Sequence, residues 1–143
     1  MKDSGLFISW MKLRLVAIGL LVALYFLGLL YVKFMRYDVY ISDYEFNWIP
    51  FKSPINTQVL TSYILNLLFF LPLGVLVGLT PKHKTASYIG ALALCFLLEI
   101  LQPIFLSGIF DITTVLLSMA GVIAGFFAYK ASTKILPLPL TNK

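Results

Sequence analysis

The sequence predicts an all-α polytopic membrane bundle: one domain of four transmembrane helices, with both termini in the cytoplasm. Three observations predict it. Of the 143 residues, 60% are hydrophobic and only 12% are charged, whereas a soluble domain carries about 25% charged residues. The apolar residues come in four long runs with short polar punctuation, as required when ~20 residues must cross a ~30 Å hydrocarbon layer. Lysine and arginine also fall unequally at the ends of the runs. With the N-terminus inside, Lys2, Lys12, Arg14, Lys82, Lys84, Lys130, Lys134 and Lys143 lie on the cytoplasmic side, against Lys33, Arg36 and Lys52 outside. Such an excess marks the cytoplasmic face.

The first run, 13–34, exceeds the roughly 7 to 15 residues of a secretory signal's apolar region. No small-x-small cleavage pattern closes it, so it is expected to remain as a membrane anchor. The other runs are 59–79, 87–108 and 111–129. Each is expected to be a helix, because a helix is the only open segment that satisfies its own backbone in lipid.

The connections differ in character. Residues 35–58 are rich in aromatics (Tyr37, Tyr40, Tyr44, Phe46, Trp48 and Phe51), which favour the membrane-water boundary. This loop is expected to lie along the outer surface. Residues 80–86 form a short basic cytoplasmic turn opened by Pro81, and residues 107–110 a tight outer turn using Gly108. The last ten residues, with Pro137 and Pro139, read as an extended tail.

Several function classes are disfavoured. The net charge of +5 is dispersed over the ends of the runs and forms no patch for nucleic acid. The single cysteine, Cys95, lies within an apolar run, so neither an intrachain disulfide nor a metal cluster is expected. His83, between Lys82 and Lys84, reads as a solvated turn residue. There is no nucleophile paired with an intramembrane histidine and no glycine-rich phosphate loop. No cofactor is expected, and an enzymatic reading rests on Glu99 and Asp111 alone.

The most informative pattern is in the fourth run, where Asp111, Thr114, Ser118, Gly121, Gly125, Ala128 and Ser132 recur at spacings of three and four. They therefore share one helical face, and Gly121 with Gly125 makes a pair that lets two backbones approach closely in lipid. The second run places Asn66, Phe70, Gly74 and Gly78 similarly, and the third Ala91, Cys95, Glu99 and Gln102. In each, the small residues lie toward the cytoplasm and the polar ones toward the outside. From the helical rise, Asn66 lies ~10 Å in from the outer start of its span, with Glu99 and Gln102 ~18 and ~22 Å up from the cytoplasmic start of theirs. Asn66, Glu99, Gln102 and Asp111 are thus expected to converge in the outer half of the bundle. A carboxylate within a span costs ~3 kcal/mol or more on insertion scales and faces a partner or a wet cavity. Pro103 withdraws the backbone donor for the Glu99 carbonyl, so a local kink is expected there, and Asp111 is placed to cap the fourth helix.

The polar landmarks, taken in order, resemble the VanZ-like membrane family. Asn47-Trp48-Ile49-Pro50-Phe51-Lys52 resembles its N-x-x-P-F element, and Asn66 to Gly74 its N-x-x-x-F-x-P-x-G helix. Glu99-Ile100-Leu101-Gln102 resembles its E-x-x-Q, followed by Gly108, Phe110-Asp111-Ile112 and Gly121. The resemblance covers about residues 47–125. It adds Asn47, Pro50 and Phe51 to the candidate binding residues Asn66, Glu99, Gln102 and Asp111. Two departures stand out: where the family has a second Asp and then an Asn, this chain has Thr114 and Ser118. The family's founding member also has a further C-terminal span.

The resemblance implies a bacterial plasma-membrane protein linked to resistance against teicoplanin and related glycopeptides. Its expected partners are membrane lipids and a lipid-linked wall precursor or lipoglycopeptide. Two other functions stay open. One is a membrane enzyme acting on a lipid or lipid-linked intermediate through Glu99 and Asp111. The other is a small subunit that docks on a partner through its small-residue faces. The oligomeric state is not legible.

Overall fold

All four apolar runs are helical, and the helices extend beyond the apolar stretches wherever the backbone can keep bonding. The computed structural model describes residues 3–35, 46–52, 54–80, 84–105 and 107–135. Tyr37, Tyr40 and Tyr44, the turn residues Pro81 to His83, and the tail with Pro137 and Pro139 lie outside the described residues. The chain folds as two units, Met1–Asp38 and Val39–Lys143.

The first unit holds α1 (Asp3–Phe34), whose residues Lys12–Phe34 are long and apolar enough to cross a membrane. Val16, Leu20, Leu21, Leu24 and Leu27 are all exposed, as suits a helix surrounded by acyl chains. Its start lies well before the apolar run at residue 13, because hydrogen bonding does not stop where hydrophobicity does.

The second unit holds α2 (Thr57–Gly78), α3 (Lys84–Ile104) and α4 (Ile112–Ile135), with two-residue strands β1 (Phe46–Asn47) and β2 (Phe110–Asp111). All three helices meet the length and hydropathy of a membrane span. Asn56 opens α2 as an N-cap, its Oδ1 accepting from Val59 N at 2.8 Å. α3 ends at Ile104, short of residue 108, immediately after Pro103. The chain then turns so that Ser107 donates both its N–H and its hydroxyl to the Gln102 carbonyl, at 2.9 and 3.1 Å. Conversely, α4 passes residue 129 to Ile135, the hydroxyls of Ser132 and Thr133 bonding back to the carbonyls of Tyr129 and Lys130.

The seam between α2 and α4 is built from glycine. A Cβ on Gly121 would strike the Leu67 carbonyl, and one on Gly125 the Leu71 carbonyl, while one on Gly74 would lie 2.8 Å from Phe126 N. Backbone therefore rests on backbone, the arrangement through which small residues bring membrane helices together. The register Leu67 to Gly121, Leu71 to Gly125 and Gly78 to Tyr129 advances in one direction, so α2 and α4 run parallel. The small-residue face of α4 is thus filled by α2 of the same chain. Phe70, Leu73, Val77, Cys95, Leu98, Val115 and Val122 form the buried core around this seam.

The strands were not foreseen. β1 pairs with β2 in parallel, Phe46 opposite Phe110 and Asn47 opposite Asp111. They clip the segment that precedes α2 onto the entry to α4.

Candidate functional site

At the end of the second unit where α3 stops and α4 begins, one hydrogen-bond network joins most of the candidate residues. Glu99 projects from the last turns of α3 and is 2% exposed. Gln102, three residues on and on the same helical face, donates from Nε2 to Glu99 Oε2 at 3.1 Å. The amide orientation follows from its partner, since a carboxylate oxygen facing the side chain requires an N–H. The hydroxyl of Thr114, at the start of α4, contacts the other oxygen, Oε1, of Glu99.

Thr114 Oγ1 also lies 2.7 Å from the Asp111 carbonyl. A hydroxyl has a single proton, so donation to Glu99 and donation to Asp111 are alternatives. This side chain is a threonine where the resemblance implies an aspartate. It supplies the donor through which the acid of α3 is tied to α4.

Asp111 is the N-cap of α4: its Oδ1 accepts from Thr113 N at 2.8 Å, the usual role of an aspartate before a first turn. The same oxygen accepts from Asn47 Nδ2 at 3.3 Å, so the strand pairing continues into the side chains. Asn47 Oδ1 in turn accepts from Ile49 N at 3.3 Å, starting the turn that carries Pro50 and Phe51. Phe51 sits at φ 55°, left-handed for a non-glycine residue, at a cost of about 1–2 kcal/mol. Two contacts hold it there. Its N–H donates to Thr113 Oγ1 at 2.9 Å, and its ring meets Tyr63 edge-on at 6.1 Å.

Phe110 is the apolar counterpart of this polar chain. It is fully buried, with Trp48 at 4.5 Å and Phe46 and Phe96 each at 5.8 Å between ring centroids. Loop, α3 and the start of α4 are thereby pressed together around the bonds just described.

Glu99, Gln102, Asp111 and Asn47 are thus joined directly or through Thr114, and Phe51 through Thr113. Pro50 is exposed in the turn. Asn66, half-buried on α2, donates from Nδ2 to the Ser62 carbonyl of its own helix at 2.9 Å. Ser118, where the resemblance implies an Asn, is 1% exposed, and its hydroxyl has no hydrogen-bond partner among the described residues. Thr113 is not marked by any periodicity, because its partner Phe51 lies 62 residues away; Phe110 stands in the sequence only as part of a motif, and Ser107 only as part of a turn. Thr114 is legible on the shared face of the fourth run and as a departure from the resemblance, but not as a partner of Glu99. Among the described residues no group of three or more His, Cys, Asp and Glu could hold a metal ion.

Four membrane-length helices, with an acid buried among polar partners at one end, define a polytopic membrane protein with a sheltered polar cluster. The sequence model of the VanZ/LLP1 family matches residues 15–135, and the chain belongs to that family. The match reaches well before residue 47 and so includes most of α1. No curated protein and no solved structure matches the chain significantly.

Proposed function

We propose that this chain is a multi-pass protein of the bacterial plasma membrane that lowers sensitivity to glycopeptides of the teicoplanin type, acting by binding at its polar cluster. The observation that carries the reading is the network from Gln102 through Glu99 and Thr114 to Asp111 and Asn47. It gathers polar side chains from three segments at one end of an otherwise apolar bundle. With the N-terminus inside, as the distribution of Lys and Arg favours, that end faces outward, where wall precursors and lipidated antibiotics meet the membrane. The family resemblance supplies the link to teicoplanin. Binding is favoured over chemistry because each acid is held by donors: Gln102 and Thr114 on Glu99, Thr113 and Asn47 on Asp111.

Expression in a sensitive Gram-positive host tests this. The inhibitory concentration of teicoplanin is expected to rise more than that of vancomycin. Separate substitution of Asn47, Glu99, Gln102 or Asp111 is expected to abolish the rise at unchanged protein abundance. No change in either antibiotic would remove resistance as the role.

A second reading is a membrane enzyme that uses Glu99 and Asp111 on a lipid or lipid-linked substrate. What favours it is that an acid-base group, Glu99, is 2% exposed and meets the hydroxyl of Thr114. Full function in a Glu99→Gln variant would discard it, since the amide keeps the shape and loses the acid-base group.

A further inference from the structure

The segment that carries Asn47 and Phe51 keeps its large apolar side chains exposed. Phe46, Trp48, Ile49, Phe51 and Ile55 all lie open, from 44% at Phe46 to 73% at Ile55. A single exposed apolar residue is ordinary, but so many in one short segment mark a surface that meets something other than water.

The depth of the segment identifies that partner. α2 has 22 residues and so spans ~33 Å, little more than the ~30 Å of a hydrocarbon layer. The start of α2 therefore lies near the edge of that layer, and Phe51 reaches past it. Its ring meets that of Tyr63, which lies well inside α2. Allowing for the lean of helical side chains toward the N-terminus, the contact falls ~5–9 Å below the helix start. The Phe51 N–H bonds to Thr113, and the register of Leu67 with Gly121 makes Thr113 level with Val59. Two independent neighbours thus set the turn beside the first turns of α2 and α4, inside their ends.

Backbone at this depth must have its polar groups satisfied by protein. The turn meets that condition: β1 pairs with β2, the Ile49 N–H bonds to Asn47 and the Phe51 N–H to Thr113. Pro50 and Pro54 have no N–H to leave bare. Next to Tyr63, the exposed Leu60, Ile64 and Leu68 share a flank of α2, the flank that an apolar span turns to lipid, and Phe51 extends it. Trp48 and the exposed Lys52 suit the boundary above, where an indole sits half in and an ammonium reaches the phosphates on an apolar stem.

We propose that residues 46–55 are a wedge inserted into the bilayer leaflet they border, with Phe51 among the upper acyl chains and Trp48 at the boundary above it. The partner is phospholipid, its acyl chains meeting the apolar side chains and its phosphates Lys52. This is deeper than the surface position that the aromatic content alone suggests. It holds for either orientation of the chain and stands apart from any role in resistance.

The test uses the full chain with Trp10→Phe, which leaves Trp48 as its one tryptophan, in vesicles of phosphatidylcholine brominated either high or midway along the acyl chains. Trp48 emission is expected to be quenched more by the high bromines than by the midway ones, and scarcely by iodide in the water. A second chain moves the reporter down by adding Trp48→Phe and Phe51→Trp. Its emission is expected to shift toward quenching by the midway bromines, with folding checked by protection of Cys95 from a thiol reagent.

Quenching of Trp48 by iodide and not by bromolipid would put the loop in water and overturn the proposal. Protection from both quenchers would mean that protein covers the patch, either a partner or a second copy, and overturns it as well. Quenching of the Phe51→Trp chain no deeper than that of Trp48 would show that the turn does not dip. Should that variant expose Cys95, the Trp48 comparison decides alone, since it needs no substitution in the wedge.

Discussion

Replacing Gly125 with alanine adds one methyl group at the point where α2 and α4 press closest. The new Cβ would overlap the Leu71 carbonyl oxygen and lie 2.9 Å from the Leu71 carbonyl carbon and 3.2 Å from Gly74 Cα. All three are backbone atoms, so no flexible side-chain end can yield. The opposing residue is itself a glycine whose own Cβ position is blocked by Val122 and Phe126. Relief requires the helices to separate, and overpacking of this kind costs about 1–3 kcal/mol. Cys95 provides the assay: it is 1% exposed and becomes reactive to a thiol-specific dye only when the bundle opens. Gly90→Ala is the matched control, because nothing lies within 4 Å of its Cβ position. There the same change is expected to stabilise, since glycine inside a helix is about 0.5–1 kcal/mol worse than alanine. If Gly125→Ala labels no earlier than Gly90→Ala, the glycine seam does not hold α2 against α4.

Other substitutions separate the parts of the cluster. Asn47→Ala and Thr113→Val each remove one clip from the loop. Each is expected to cost about 1 kcal/mol and to raise hydrogen exchange over residues 46–52, at the Phe51 amide above all for Thr113→Val, with α2 and α4 unchanged. Ser118→Ala removes a buried hydroxyl that lacks a partner. It is expected to be neutral or to stabilise by about 1 kcal/mol in the Cys95 assay, and a clear loss would mean that the hydroxyl is bonded. Glu99→Leu, which strands the donors of Gln102 and Thr114, is expected to lower abundance, whereas Glu99→Gln is expected to leave it unchanged, read by immunoblot of isolated membranes.

Much of this architecture was legible because lipid imposes strong local rules. Twenty apolar residues in a row, bounded by basic or turn residues, specify a helix with little help from the rest of the chain. The spacing of Gly121 and Gly125 marked a packing face, although it could not say that α2 of the same chain fills it. Glu99 and Gln102 were legible as a pair because helical spacing of three places them together. The links between segments were not. Pairing of Asn47 with Asp111 spans 64 residues and involves only two residues per strand, too few for alternation to show. The reach of Phe51 to Thr113 depends on a left-handed backbone at a residue type that does not advertise one. Asn66 donates from Nδ2 to the Ser62 carbonyl of its own helix, a bond that helical spacing does not announce. Helix ends were misplaced where bonding continued past the apolar run, as in α4, or stopped early after Pro103, as in α3.

The contact between Glu99 and Thr114 joins α3 to α4 and holds the network in one piece, so a double-mutant cycle on that pair probes it most directly. Glu99→Gln, Thr114→Val and the double variant would be compared by the denaturant dependence of Cys95 labelling. A coupling of about 1 kcal/mol or more is expected, as for bonded neighbours in one network. Additive effects of the two substitutions would mean that the acid and the hydroxyl do not meet, and the cluster would come apart with them.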